Sequence, residues 1–329
     1  MDVKNIVIKY MSHYFDNKDS FLSPTVTQYN NHMVMTNVSK PTKVKLWNID
    51  TKFRDDYDQY IEQVTGANIT QYMITLPQPI NDVKSISVKN MEVPMSFYNI
   101  SDSLENNLMK ITNKSTGVSK VVVINDNHYT VGSLISEINA ELIAVDLSGI
   151  VFSVVNNNNT RVSSIYSVDF TIEFAVKRIG SIGSLNIEFD KFNFKNKLGW
   201  VLGFRNIVYS LSSGSPIVSE SFIDISTIRY LYLCIDEFSK GNQNSFISPL
   251  SRSLVNKNII AKICLDYATH GFLAVLPANN ENGLLLTDKR EYNGKVNLQR
   301  LKIQLINEFG YPVDLNGMDF SFSLSIEYE

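Results

Sequence analysis

Carboxylates that lie close together in the chain are the residues whose type and spacing could do chemistry. Asp236 and Glu237 in "CIDEF", Asp55 and Asp56 in "FRDDYD", and Glu308 with Asp314 form the candidate pairs. Two acids can hydrolyse a glycosidic bond when their carboxyl groups stand ~5 to 10 Å apart in one cleft. Adjacent residues on a strand point to opposite faces, so Asp236 and Glu237 are not expected to act together. Each pair is expected to be a solvated loop or strand-end carboxylate. The histidines, His13, His32, His128 and His270, have no second histidine, cysteine or paired carboxylate at metal-ligand spacing. A G-x-S-x-G elbow, a Walker loop and a Rossmann fingerprint are absent, and "GSLIS" from Gly132 reads as a helix cap. "RIGSIGSL" carries a GxxG from Gly180 to Gly183 after Arg178, without the helix-turn-helix setting an RNA clamp requires. These readings predict a protein that is not an enzyme, with no catalytic, cofactor-binding or metal-binding residue.

Charge narrows the partners. Lysine and arginine number 30 against 33 acidic residues, a net charge of -3, which offers no overall field for nucleic acid. The loosely basic stretch of Lys177, Arg178, Lys191, Lys195, Lys197 and Arg205 is interrupted by Glu173, Glu188 and Asp190, and is expected to be a solvated face. Direct nucleic-acid binding is therefore not expected. Cys234 and Cys264 lie in apolar, strand-like runs and read as reduced, buried hydrophobes, with a disulfide between them left open. "MDVKNIVIKYMSHYF" has charges through its apolar part and no small-residue cleavage site, and no apolar run reaches the ~18 residues that span a bilayer. A soluble protein made in the cytosol and not secreted by the ordinary route is expected.

The elements that must position these residues are mostly strands. A chain of 329 residues with 44% hydrophobic and 19% charged residues folds, and it has room for one large all-β domain or two average ones. From Val44 onward short runs with β character are separated by turn chemistry. "KVKLWNIDTKF" is apolar at Val44, Leu46, Ile49 and Phe53, and "YMITLPQPI" is expected to stop at Pro77 and Pro79, which cannot donate to a ladder. "VKSISVKNMEV" alternates through Ile86 and Val88, then resumes one position out of phase at Met91 and Val93, which predicts a β-bulge near Lys89 and Asn90. "VLGFRNIVYSL" reads as a further strand. One helix interrupts the pattern: in "YTVGSLISEINAELIAV" Leu134 or Ile135, Ile138 and Leu142 recur at helical spacing, Thr130 or Ser133 caps the start, and Glu137 falls in the first turn.

The chain closes on "LNGMDFSFSLSIEYE". Phe320, Phe322, Leu324, Ile326 and Tyr328 alternate with Ser321, Ser323, Ser325 and Glu327, so one face is built for burial, and the small serine face suits close approach by a neighbour or by solvent. Residues 1–42 are polar apart from a short amphipathic opening and read as an arm, either folded back on its own domain or docked on a neighbouring subunit. Residues 43–329 read as one all-β domain with inserted loops at about 205–295. Asparagine-rich "VVNNNNTRV" and aromatic loops leave a glycan-binding β-sandwich, a lectin-like attachment module, as the alternative function.

Several segments carry a resemblance in order: "NIDTKFRDDY" (48–57), "ITLPQPINDVKSISVKNMEVPMSFYNIS" (74–101), "HYTVGSLISEINAEL", "LGWVLGFR" (198–205), "RYLYLCIDEF" (229–238) and the C-terminal stretch from Val296. Together they span about residues 46–329, and the set resembles the minor capsid and penton proteins of icosahedral nucleocytoplasmic large DNA viruses. The resemblance implies a single jelly roll with decorated loops and one short helix between strands. It implies a structural capsid role at a five-fold vertex or as a minor capsid protein. It further implies self-association as a homopentamer, contact with major and minor capsid proteins, residence in the virion after synthesis in host cytoplasm, and no cofactor. Proximity to an inner membrane is compatible with it. One jelly roll needs eight strands in two sheets, and two would be cramped in this length.

Overall fold

The computed structural model describes residues 41–54, 70–156, 158–180, 184–238 and 258–329. β1 (Lys43–Asp50) ends in the 3-10 turn Thr51–Phe53, and β2 (Gln71–Pro94) then runs for 24 residues. A separate group follows: β3 (Leu108–Asn113), β4 (Ser119–Val123), α1 (Val131–Ala144), β5 (Ile150–Val155), β6 (Asn159–Ser164), β7 (Phe170–Glu173), β8 (Val176–Arg178), β9 (Ile187–Phe189), α2 (Leu198–Val201), β10 (Val208–Leu211) and β11 (Ile217–Phe222). The chain then supplies β12 (Tyr230–Asp236), β13 (Ile259–Cys264), β14 (Val275–Asn279), β15 (Leu285–Thr287), β16 (Arg290–Asn307) and β17 (Ser321–Tyr328).

One ladder runs β1-β17-β2-β16-β12-β13-β15, with β14 also paired to β2. β17 takes one edge of β2 over Val83–Glu92, while β14 and then β16 share the other edge in succession. β2 therefore serves two layers: its C-terminal half lies with β1, β17 and β14, and its N-terminal half lies beside β16, β12, β13 and β15. Phe322, Leu324 and Ile326 from the first layer and Leu231, Leu233 and Ile303 from the second join one buried cluster. This is the all-β sandwich expected from the strand-rich sequence, in the jelly-roll form that the resemblance implies.

β17 behaves as its alternation predicts. Phe320, Phe322, Leu324 and Ile326 are buried, and Tyr328 packs partly against the same core. The serine face is bonded to its own sheet: Ser321 Oγ donates to Glu92 Oε2 at 3.0 Å, Ser323 Oγ to Asn48 Oδ1 at 3.3 Å, and Ser85 Oγ to Glu327 Oε2 at 3.1 Å. The predicted bulge is present, because Ser323 pairs with Asn90 and Leu324 with Val88, leaving Lys89 as the extra residue. Its exclusion lets Ile86, Val88, Met91 and Val93 all face inward despite the change of phase.

Three sequence expectations are corrected. Pro77 and Pro79 do not stop a strand; β2 continues through them. On β16, Arg300 pairs with Thr75 and Leu298 with Ile80, so four residues of β2 oppose Gln299 alone and the prolines sit where the ladder asks for no donor. Val44, Leu46 and Phe53 are exposed rather than core, because β1 is the edge of its layer and of this segment buries Ile49 and the half-buried Trp47. The stretch "VLGFRNIVYSL" is not one strand: Leu198–Val201 form a helical turn and the strand begins at Val208.

The elements between β2 and β12 build a second core. β10-β7-β3-β4 and β11-β6-β5 form two sheets, and α1 packs Leu134, Ile135, Ile138 and Leu142 into the apolar cluster they enclose. Thr130 caps α1 in a reciprocal pair with Ser133. Glu137 lies beyond the first turn and, with Glu141, accepts from Asn125 Nδ2 at 2.7 and 3.0 Å. Within the interval 205–295, β10 and β11 belong to the second core and β12–β15 to the first.

"LGWVLGFR" earns its glycines by close approach. Gly203 adopts φ +89°, and a Cβ there would lie 2.1 Å from the Ser221 carbonyl, whose residue donates its N–H to Gly203 O at 3.0 Å. Gly214 has a similar φ of +72° with open space around it. Gly214→Ala is expected to cost about 1 kcal/mol for the left-handed backbone alone, and Gly203→Ala about 3 kcal/mol or more because backbone must move as well. Urea denaturation of both variants checks this, and equal losses would contradict the close approach.

Candidate functional site

Strand β12 delivers Asp236 and Glu237 to opposite sides, as the period of a strand requires. The Asp236 carboxylate turns outward and accepts the Phe238 N–H at 2.8 Å. Glu237 turns inward, where it and Arg290 have no exposed side-chain surface and meet at 2.8 Å. Arg290 Nη1 also donates to Ile235 O, and its Nη2 to Asn258 O and Ile259 O. The guanidinium thus ties the end of β12, the start of β13 and the start of β16 together. Burial and the neighbouring Glu237 push the Tyr292 phenol far above its ordinary range, so it stays neutral there. A carboxylate neutralised by a buried guanidinium cannot serve as one of two acids in a cleft, which removes this pair as a hydrolytic site.

Asp55 and Asp56 lie outside the described residues. Burial raises the Glu308 carboxyl, whereas Asp314 is exposed and accepts the Asn316 N–H.

Where the second core leaves β2, a cleft of about 140 Å³ gathers Asp102 and Asp126 beside Phe97, Tyr98, Pro312 and Asn316. The Asp102 N–H donates to Asp126 Oδ1 at 2.9 Å, and Arg178 Nε donates to Asp102 Oδ1 at 2.8 Å. Burial raises the Asp126 carboxyl, helped by the Asp102 charge and opposed by the Asp102 N–H and Asn107. These are two acids in one cleft, but the space is well below the ~300 Å³ at which small-molecule sites begin. Its chemistry is that of a clamp. Asn196 Nδ2 donates to Leu104 O, and Lys197 Nζ reaches Glu105 Oε2 at 2.9 Å and Asp190 Oδ2 at 3.3 Å, so the turn 101–105 is held by three side chains of the second core.

Basic residues of the stretch from Lys177 to Arg205 are largely engaged rather than displayed. Lys177 pairs with Glu188 at 2.8 Å, Arg178 with Asp102, and Lys197 is 1% exposed between Glu105 and Asp190. Lys195 and Arg205 lie over the Trp200 ring, the latter at 4.0 Å. Burial works to raise the Asp190 carboxyl, but Asn193 and Lys197 outweigh it and leave it below its ordinary value. The solvated face expected from the sequence is corrected at Lys197, because a charge walled in by two carboxylates can be buried.

Neither Cys234 nor Cys264 is in a disulfide. Cys264 pairs across the ladder with Tyr230, four residues along β12 from Cys234, so about 13 Å of strand separates them and no disulfide is reachable. The described asparagines of "VVNNNNTRV" shape the β5–β6 turn and its contact with β11. Asn156 and Asn158 take φ of +46° and +101°, and Asn159 Nδ2 donates to Ser219 O and Ser221 O. Among the described residues, no group of three or more His, Cys, Asp or Glu could hold a metal ion, and no helix is long and apolar enough to cross a membrane.

Arg290 is the important residue that sequence reading missed, and Lys197 was read only as part of a solvated basic face. The available signal at Arg290 was its two-residue spacing from Tyr292, which puts both on one strand face; for Lys197 there was none. Glu237→Gln is expected to destabilise the chain by about 3 to 5 kcal/mol by leaving Arg290 buried and uncompensated, and joint Glu237→Leu, Arg290→Met replacement to recover most of the loss. Guanidinium denaturation of the single and double variants measures both.

Comparison with known proteins finds no matching family model and no matching curated protein. Among solved structures, the chain is similar to the selenomethionine-labelled penton protein of mavirus, with a TM-score of 0.42 and 10% identity over 88% of this chain and 100% of that one.

Proposed function

We propose that this chain is a structural subunit of the capsid of an icosahedral nucleocytoplasmic large DNA virus, a penton or a minor capsid protein, working by subunit packing rather than by catalysis. The observation that carries the reading is where the resembling segments fall. "NIDTKF" forms the end of β1 and its turn, where Thr51 N donates to Phe320 O at 3.1 Å. "ITLPQPINDVKSISVKNMEV" is the body of β2, "LGWVLGFR" the close approach at Gly203, and "RYLYLCIDEF" the strand that presents Glu237 to Arg290. These four segments are thus framework parts over their described residues, as a protein that acts through shape requires.

The described charged candidates point the same way, being tied within the chain as ion pairs and turn acceptors. A shell subunit of this kind presents a sandwich to its neighbours and carries the second core on it. In this reading residues 1–42 serve as an arm and 43–329 as the shell domain. The partners are copies of the same chain, as a homopentamer, and the surrounding capsid proteins. Closed rotational symmetry is the ordinary route for such association.

Native mass spectrometry of the full-length chain, alone and co-expressed with the major capsid protein of its virus, tests the proposal. A ring of five, or a stable complex with the lattice protein, is the expected result. A chain that stays monomeric in both settings and is missing from purified virions would defeat it.

A further inference from the structure

The loop Asn125–Tyr129, which leads into α1, reaches back to the first core through the ring of His128. His128 stacks on Phe272 with ring centroids 4.4 Å apart and planes 8° from parallel. Phe272 belongs to the loop between β13 and β14, and that loop is anchored to β2: Leu273 N donates to Met95 O at 3.0 Å and Met95 N to Ala274 O at 2.8 Å. Leu273 holds φ +68°, an uncommon conformation for a branched side chain, and this turns the chain so that Phe272 can meet the imidazole. On the other side, Asn99 Oδ1 accepts the Tyr129 N–H, and Ile100 and Asn127 exchange backbone hydrogen bonds. The His128 ring is therefore seated between a fixed loop of one core and a fixed loop of the other. Its Nδ1 is buried and has no hydrogen-bond partner among the described residues.

We propose that the His128–Phe272 stack is an acid-sensitive latch between the two cores, closed while the imidazole is neutral and loosened when Nδ1 takes up a proton. Nδ1 has no partner in the closed stack, so the added N–H would be buried with only the Phe97 carbonyl nearby to offset its cost. Burial lowers the proton affinity of His128 below that of an ordinary histidine, and the Phe97 carbonyl only partly offsets this. Attraction between an imidazolium and the Phe272 ring works in the opposite sense, against the cost of burying an N–H that has no partner in the closed stack.

The carboxylates on the segments that meet here are occupied elsewhere, and the Tyr98 ring lies 6.4 Å from that of Phe272. Asp126 accepts from Asp102 N and Asn107, Asp102 holds Arg178, and Asp266 accepts the Ala268 and Thr269 N–H groups. Burial and the Glu137 charge push the Tyr129 phenol up to about 12. His270, on the Phe272 loop, is the one other described histidine. The sign follows from proton binding. The docked state binds the proton more weakly than the undocked state, so docking is complete above the ordinary histidine value of ~6.5 and weakens as pH falls through it toward the docked value. A single proton can raise the opening constant by at most about tenfold per pH unit.

Hydrogen exchange of the full-length chain at pH 7.5 and pH 5.0, corrected for the intrinsic exchange rate, tests the latch. The unaltered chain is expected to lose protection several-fold at pH 5.0 in segments 95–101, 124–131 and 268–276, while His128→Phe, which keeps a stacked ring but cannot titrate, holds the same protection at both. Equal protection of the unaltered chain at both pH values overturns the proposal, and so does an undiminished acid response in His128→Phe, which would assign the response to His270 or another group. Should that variant fail to fold, an NMR titration of the unaltered chain decides: the His128 ring must titrate below the ordinary histidine value together with the Phe272 ring, and a midpoint at or above that value overturns it.

Discussion

One strand has to satisfy two sheets. β2 spans 24 residues and carries β17 along one edge and β14 and then β16 along the other. A flat strand of that length would extend ~80 Å and could not turn an apolar face toward two layers. Its ladder is therefore interrupted at Lys84, at Lys89, at Asp82 with φ +57° and across Leu76–Pro79. Each interruption bends the strand or changes which face is inward. Every layer of the first core is hung on the result, and so is the point where the second core departs.

Buried charge follows the same logic of over-determination. Arg290 in the first core and Lys197 at the base of the second are large cations almost without exposed surface, and each bridges segments far apart in sequence. Arg290 gathers Ile235, Glu237, Asn258 and Ile259; Lys197 gathers Glu105 and Asp190. Removing two ions from water offsets most of their mutual attraction, so such groups add little net stability compared with packed hydrocarbon. What they supply is directional: a guanidinium with fixed donors admits one arrangement of the strands around it. This suits a protein whose proposed work is to hold a shape against neighbours.

The junction between the cores combines both kinds of contact. Polar ties at Asn99, Thr227, Arg178 and Lys197 are specific in direction, whereas His128 on Phe272 is a surface contact with one titratable partner. A histidine at such a joint adds a group whose ordinary charge change falls in the mildly acidic range.

Local chemistry was legible from the chain alone. The alternation of Phe320, Phe322, Leu324 and Ile326, the phase change at Lys89, the Thr130 cap and the inward face of α1 all follow from period and side-chain type, which depend on near neighbours. Those rules also excluded Asp236 and Glu237 as a working pair, since adjacent strand residues diverge. The folded chain alone could decide matters set by residues hundreds of positions apart. Pro77 and Pro79 remain inside a strand because Gln299 asks nothing of them, Val44 and Leu46 are outside because β1 lies at an edge, and Lys197 is inside because Asp190 and Glu105 meet it. Burial of a proline, an edge residue or a charge depends on which partner arrives across the sheet, and pairing over such distances is written in the packing of whole faces rather than in any local run.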